Sequence, residues 1–263
     1  MIRRLRQLRV FTTNTMVEAF RNKTLYAVMI AAVLAMAAAN IFGAVSLRQD
    51  ERIFNNFILF AGMLFLSFVA IYQGVTTIHR EVDTKTIFTV VSKPVTRGSF
   101  LVGKYVASSV ILGVCTVLMF GLASVVALSL GYEITALHVG VYYAVLLQLL
   151  MIVAIGFLFS TFSISGPLLS ALFTFSIFLI GNLTPQLENA SREFAADGNP
   201  LHHFLDITLL IVPDLEKYNL SYELTHKLEV PTSYFLHATG YALTVIVFSL
   251  LIAHLIFSRR DFA

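Results

Sequence analysis

Six stretches of this sequence, each about 20 residues long, contain no Asp, Glu, Lys or Arg, and that absence constrains the fold more than any other feature. An α-helix rises ~1.5 Å per residue, so ~20 apolar residues cross a ~30 Å hydrocarbon core. The rest of the composition agrees. Only 13% of the 263 residues are charged and 57% are hydrophobic, where a soluble domain carries about 25% charged residues. The chain therefore reads as an all-α integral membrane protein forming one transmembrane domain over residues 1–263. The spans fall near Leu25–Leu47, Phe57–Ile78, Tyr105–Gly131, Val139–Phe162, Gly166–Leu183 and Phe235–Phe257.

Orientation follows from the placement of Lys and Arg. Arg3, Arg4, Arg6, Arg9, Arg21 and Lys23 precede the first span; Arg80, Lys85, Lys93, Arg97 and Lys104 lie between the second and third; Arg259 and Arg260 close the chain. With six spans these all fall on one side, which makes both termini cytoplasmic and the protein multi-pass in the cell (inner) membrane. The net charge of +3 is accounted for by this asymmetry, so nucleic acid is not an expected partner. The first 24 residues alternate apolar side chains with Arg3, Arg6 and Arg9, which predicts an amphipathic helix lying in the cytoplasmic interface. This basic segment is too long to read as a cleaved leader.

Between spans five and six, residues 182–234 carry eight acids and four prolines (185, 200, 213, 231), which predicts an external segment cut into short helical pieces. "LHHFLDITLLIV" (Leu201–Val212) is apolar but too short to span, and reads as a re-entrant or interfacial helix; "LEKYNLSYELTHKL" suggests a second helix. "RQDERIFNN" and "GYEITALH" read as short links, and Gly166-Pro167 as the break between spans four and five.

The charge-free spans argue against proton- or ion-coupled carriers, which place ionisable groups at the midplane. His237 and His254 lie near opposite ends of the last span and read as interfacial. The single cysteine, Cys115, excludes an intrachain disulfide. His202-His203 is weak support for a metal site.

Gly98, Gly103 and Lys104 spell the start of a phosphate-binding P-loop, but Tyr105 stands where Ser or Thr must hold Mg²⁺, and Phe100, Leu101 and Val102 fill the loop. The segment 79–104 reads instead as a cytoplasmic element broken at Pro94, with a new helix capped by Thr96 or Ser99 running through Lys104 into span three. Four-residue spacing of Val82, Thr86 and Val90 favours a helix before Pro94, while its β-branched residues leave a partly extended form open.

"HREVDTKTIFTVVSKPVTRGSFLVGKY" resembles the corresponding loop of ABC-2-type permeases, the membrane subunits of ABC exporters. The matches are Glu81, Thr86, Ser92, Pro94, Val95, Thr96, Arg97, Gly103 and Lys104; Lys85 replaces the family's usual Gly, a variant similar to permeases of the multicopper-enzyme-maturation type. "EAFRNKTLY", "FSTFSISGPLLSALFTF", "VPDLEKYNLS" and "FSRRDFA" extend the resemblance over the whole chain. It implies a second permease subunit, forming a homodimer or heterodimer, and two copies of a separate ABC ATPase that hold ATP and Mg. This chain would be no enzyme and would hold no cofactor. It further implies a coupling helix between spans two and three, with Arg80, Glu81, Asp83, Thr86, Pro94, Arg97 and Lys104 at the ATPase. Glu81 would face the ATPase or the N-terminal helix, where Arg6 or Arg9 offsets its desolvation. The route along the dimer interface would suit an apolar or amphipathic cargo, or mechanical transmission to an extracytoplasmic partner. The other readings are a membrane enzyme acting on lipids through His202 and His203, and a non-transporting assembly factor.

Overall fold

The computed structural model describes residues 50–83, 97–162 and 166–259, together with Tyr26, Met29, Ile30, Val33 and Leu34, which carry helical backbone within the first expected span. The remaining expectations for the first 49 residues, including the interfacial helix with Arg3, Arg6 and Arg9, lie outside the described residues. The elements are α1 (Asp50–Asp83), α2 (Arg97–Ser129), α3 (Ala136–Phe162), α4 (Pro167–Asn182), α5 (Thr184–Ala196), α6 (Leu201–Ile211), a 3-10 turn (Glu216–Tyr218), α7 (Ser221–Thr225) and α8 (Thr232–Arg259). No strand occurs among the described residues.

Among the described residues four helices are long and apolar enough to cross a membrane: α1, α2, α3 and α8, matching the expected spans two, three, four and six. Each begins before its expected start. The 34-residue α1 is the extreme case, at about 51 Å. It absorbs most of the expected link "RQDERIFNN", because no Gly or Pro interrupts it, two acids favour a helix N-terminus, and Phe54 is buried against Tyr132 with ring centroids 5.4 Å apart.

The centre of the bundle is α3. It packs on α1, α2, α4 and α8 and is apolar all round, as a helix buried on every side must be. It opens with a capping box in which the N3 residue is a histidine: the Thr135 backbone N–H donates to His138 Nδ1 at 3.1 Å. The link before it begins with a Schellman turn. Gly131 takes φ +81°, its N–H donates to Leu128 O, and Tyr132 N–H donates to Ala127 O. Exposed Val117, Leu118 and Val125 on α2, and Leu243, Val247 and Leu251 on α8, form the apolar outer wall that lipid covers.

The expected fifth span is the main departure. Its helix, α4, has 16 residues and bends by 70° into α5. Its last residue, Asn182, accepts a hydrogen bond from Gln148 Nε2 at 2.9 Å. Gln148 lies 12 residues into α3, so α4 stops about 18 Å short of the start of α3. The chain turns there because the Gly181 backbone lies against Leu215 and Pro213, and Pro185 then opens α5.

The prolines divide the segment after α4 as expected. The α5–α6 hairpin is tied by Ser191 Oγ, which donates to Asp206 Oδ1 at 2.6 Å, and Leu201–Ile211 is a helix with an exposed apolar face. "LEKYNLSYELTHKL" is not one helix. Asn219 Oδ1 accepts from the backbone N–H and hydroxyl of Ser221 at 3.3 and 2.5 Å, an Asx turn that separates the 3-10 turn from α7.

Candidate functional site

The sequence points to the segment joining α1 and α2. Of the residues expected there, Thr86 and Pro94 lie outside the described residues, as does the choice between helical and extended backbone around them. Arg80, Glu81 and Asp83 are in the last turns of α1, and Arg97 and Lys104 in the first turns of α2. At its described ends the 79–104 element is helical and continuous with α1 and α2, and the expected helix running through Lys104 into span three is present. Arg80 is exposed. Lys104 is buried, with Nζ 5.9 Å from the centroid of Phe100. Gly98, Gly103 and Lys104 all have helical backbone, so the P-loop look-alike forms no loop to cradle phosphate.

Below this junction the two helices are keyed into the bundle by contacts that allow little slippage. The α1 and α3 backbones touch at Gly74 and Gly156: a Cβ on Gly156 would lie 3.0 Å from Gly74 Cα, closer than carbon atoms comfortably pack. One turn away, Ser160 Oγ donates to Val75 O at 3.1 Å. His79, next to Arg80, reaches Ser170 of α4 through Nε2 at 3.1 Å. The Ser170 hydroxyl donates to Phe159 O at 3.1 Å. Its hydrogen is thereby committed, so His79 Nε2–H is the donor in the first bond. The buried His79–Ser170–Phe159 relay joins α1, α4 and α3 at one level. On the other side α2 rests on α8, where Phe100 stacks on Phe257 at 6.1 Å and a Cβ on Gly98 would lie 3.1 Å from His254.

Sequence reasoning missed these joints. A Gly at 74 or 156, or a Ser at 160 or 170, reads as an ordinary small residue of a span, and the pairing between distant helices decides its role. The same holds at the opposite end. There Tyr218 OH donates to Ala238 O at 2.7 Å, Asp214 N–H donates to Tyr241 OH at 2.9 Å, and Leu215 N–H donates to Gly181 O at 2.9 Å. Tyr234 OH donates to Lys217 O. This lashes the strap Val212–Tyr218 across α4 and α8. On α1, Lys227 pairs with Glu51 at 3.1 Å and Thr225 Oγ1 donates to Asn56 Oδ1 at 2.6 Å.

The His202 and His203 rings lie side by side, tilted by 40° with centroids 3.9 Å apart, and His202 Nδ1 lies 2.7 Å from Asn199 O. Among the described residues no three His, Cys, Asp or Glu side chains are grouped to hold a metal. Cys115 is buried in α2.

The family model described as ABC-2 family transporter protein matches residues 4–262. No curated protein matches the chain. A match over almost the full length settles membership: the chain belongs to the ABC-2 transporter family and is a multi-pass membrane transport subunit of the inner membrane.

Proposed function

We propose that this permease couples ATP hydrolysis by a separate ATPase subunit to export of an apolar or amphipathic cargo, or to mechanical transmission across the membrane. The joint between α1 and α2 faces the cytoplasm and receives the ATPase, with two permease subunits and two ATPase subunits in the assembly. The observation that carries this reading is the set of joints beneath the loop. A push on the ends of α1 and α2 cannot be absorbed locally, because Gly74–Gly156, Val75–Ser160, His79–Ser170 and Phe100–Phe257 tie them to α3, α4 and α8. Packed helices transmit such displacements as rigid bodies. The coupling residues are Arg80, Glu81, Asp83, Thr86, Pro94, Arg97 and Lys104. Lys104, being buried, holds α2 in register rather than touching the ATPase directly.

The test is reconstitution with the partner ATPase. In Glu81→Ala the permease-stimulated component of ATP hydrolysis falls to the level of the ATPase alone, while the permease still folds and inserts. Cargo movement at the normal rate without any ATPase overturns the reading.

A further inference from the structure

A cavity of about 560 Å³ opens between α3, α4, α8 and the α5–α6 hairpin. Its size falls within the ~300–1,000 Å³ typical of ligand sites. Its lining is polarised. Asp214, Lys217 and Glu188 line it beside Tyr241, and Leu158, Phe159, Ile177, Val245, Phe248 and Ile252 make an apolar wall. The charged end sits by the first turns of α8, where Lys217 O accepts from Tyr234 OH and Asp214 N–H donates to Tyr241 OH. From Tyr241 to Ile252 the α8 wall descends 11 residues without a charge. That is about 16 Å of unbroken apolar wall, long enough to lie along most of an acyl chain.

The charged end is also incomplete. Lys217 Nζ lies 3.2 Å from Asp214 Oδ2 and 5.3 Å from the Tyr241 ring centroid, and is largely exposed. Asp214 Oδ1 is enclosed but has no hydrogen-bond donor among the described residues. The χ2 torsion of an aspartate is soft and nearly two-fold, so a modest turn presents that oxygen to the cavity. Glu188 adds a second carboxylate, 3.7 Å from an exposed Arg192. Two carboxylates and one ammonium, beside an apolar slot about 16 Å long, match a head group that carries both an anion and an N–H donor.

We propose that this cavity binds an aminophospholipid. The lipid ammonium donates to Asp214 and Glu188, the phosphate meets Lys217, and one acyl chain lies between α4 and α8 along Phe248 and Ile252. Choline-headed lipids offer no N–H and leave Asp214 Oδ1 unpaired; purely anionic lipids meet two carboxylates. The site stands apart from the coupling reading, since binding is measured without ATP or an ATPase.

The chain has no tryptophan, so a single introduced one reports its own surroundings. Phe248→Trp is placed in phosphatidylcholine vesicles containing a minor fraction of lipid brominated on its acyl chains, which quenches fluorescence on contact. Brominated phosphatidylethanolamine is expected to compete about tenfold better than brominated phosphatidylcholine or phosphatidylglycerol, the worth of one charge-assisted hydrogen bond. Val117→Trp, on the exposed face of α2 outside the cavity, should be quenched equally by all three. Adding Asp214→Asn to Phe248→Trp should reduce the preference to near unity. Equal quenching at position 248, a preference for phosphatidylglycerol, or a preference that survives Asp214→Asn overturns the assignment. Should Asp214→Asn fail to fold, the three-lipid comparison at position 248 decides alone.

Discussion

Adding one methyl group at the α1–α3 crossing should disturb both stability and transmission. In Gly156→Ala the new Cβ would sit 3.0 Å from Gly74 Cα and 3.2 Å from Gly74 C, both backbone atoms that cannot swing aside. Carbon atoms pack best at about 3.5–4.0 Å, so the helices must part by about 0.5–1 Å. A gap of that size forfeits about a quarter to a half of the dispersion well for the pairs it opens. It also stretches the Ser160–Val75 hydrogen bond from 3.1 Å to about 3.6 Å or more, beyond useful range. Overpacking costs about 1–3 kcal/mol and the lost hydrogen bond about 1 kcal/mol, for a total of about 2–4 kcal/mol. The assay is thermal unfolding of detergent-purified protein, run as a double-mutant cycle with Gly74→Ala. Gly74→Ala meets Val153 O at 3.0 Å and Gly156 Cα at 3.1 Å, so once the helices have parted the second methyl should cost less than it does alone. Gly113→Ala on α2, whose Cβ meets no described atom within 4 Å, is the control and should be neutral or slightly stabilising. Single substitutions at 74 and 156 that each cost under about 0.5 kcal/mol, the range of ordinary surface changes, and that add without coupling would refute the reasoning.

Gln148→Leu should destabilise by about 1–2 kcal/mol, because it removes the donor to Asn182 and leaves that half-buried amide oxygen unpaired. Gln148→Leu/Asn182→Leu should recover most of the loss, and a double variant as unstable as the sum of its parts would contradict the pairing. Burial, with Asp214 and Glu223 adding to it, raises the pKa of Glu216 above 4.5 even though the Asn219 amide donates to it. A raised folded-state pKa means that this group favours the fold below its unfolded value and loses that contribution as pH climbs through its folded value. Melting curves taken upward from about pH 4.5 should show that component in the wild type and lack it in Glu216→Gln; identical profiles would remove Glu216 from the account.

The periodicity and charge of single segments were enough to locate α1, α2, α3 and α8, since a helix buried in lipid or protein is written in its own apolar run. Helix overruns were less legible. Asp50–Asn56 reads as a polar link, and the contact of Phe54 with Tyr132 across the bundle, which favours its helical form, cannot be seen in the segment itself. The bend after α4 was marked by Pro185, but its depth depends on Gln148 of another helix. At the loop, the residues that matched the family pattern lie on or between the ends of α1 and α2. The joints that give those ends mechanical purchase (Gly74, Gly156, His79, Ser170) carry no pattern of their own, because small residues and a lone histidine become informative only when their partners are known.

The shortness of α4 has an elastic consequence. Its 16 residues reach about 24 Å, some 6 Å less than the ~30 Å hydrocarbon core they adjoin. The bilayer beside α4 meets it by thinning, at a fraction of a kcal/mol per ångström of mismatch. The lipids next to the protein therefore store strain at one edge of the bundle, on the helix that His79 and Ser170 tie to the loop. Acyl-chain length is then a mechanical load on this permease, applied through α4 and felt at the far end of α1.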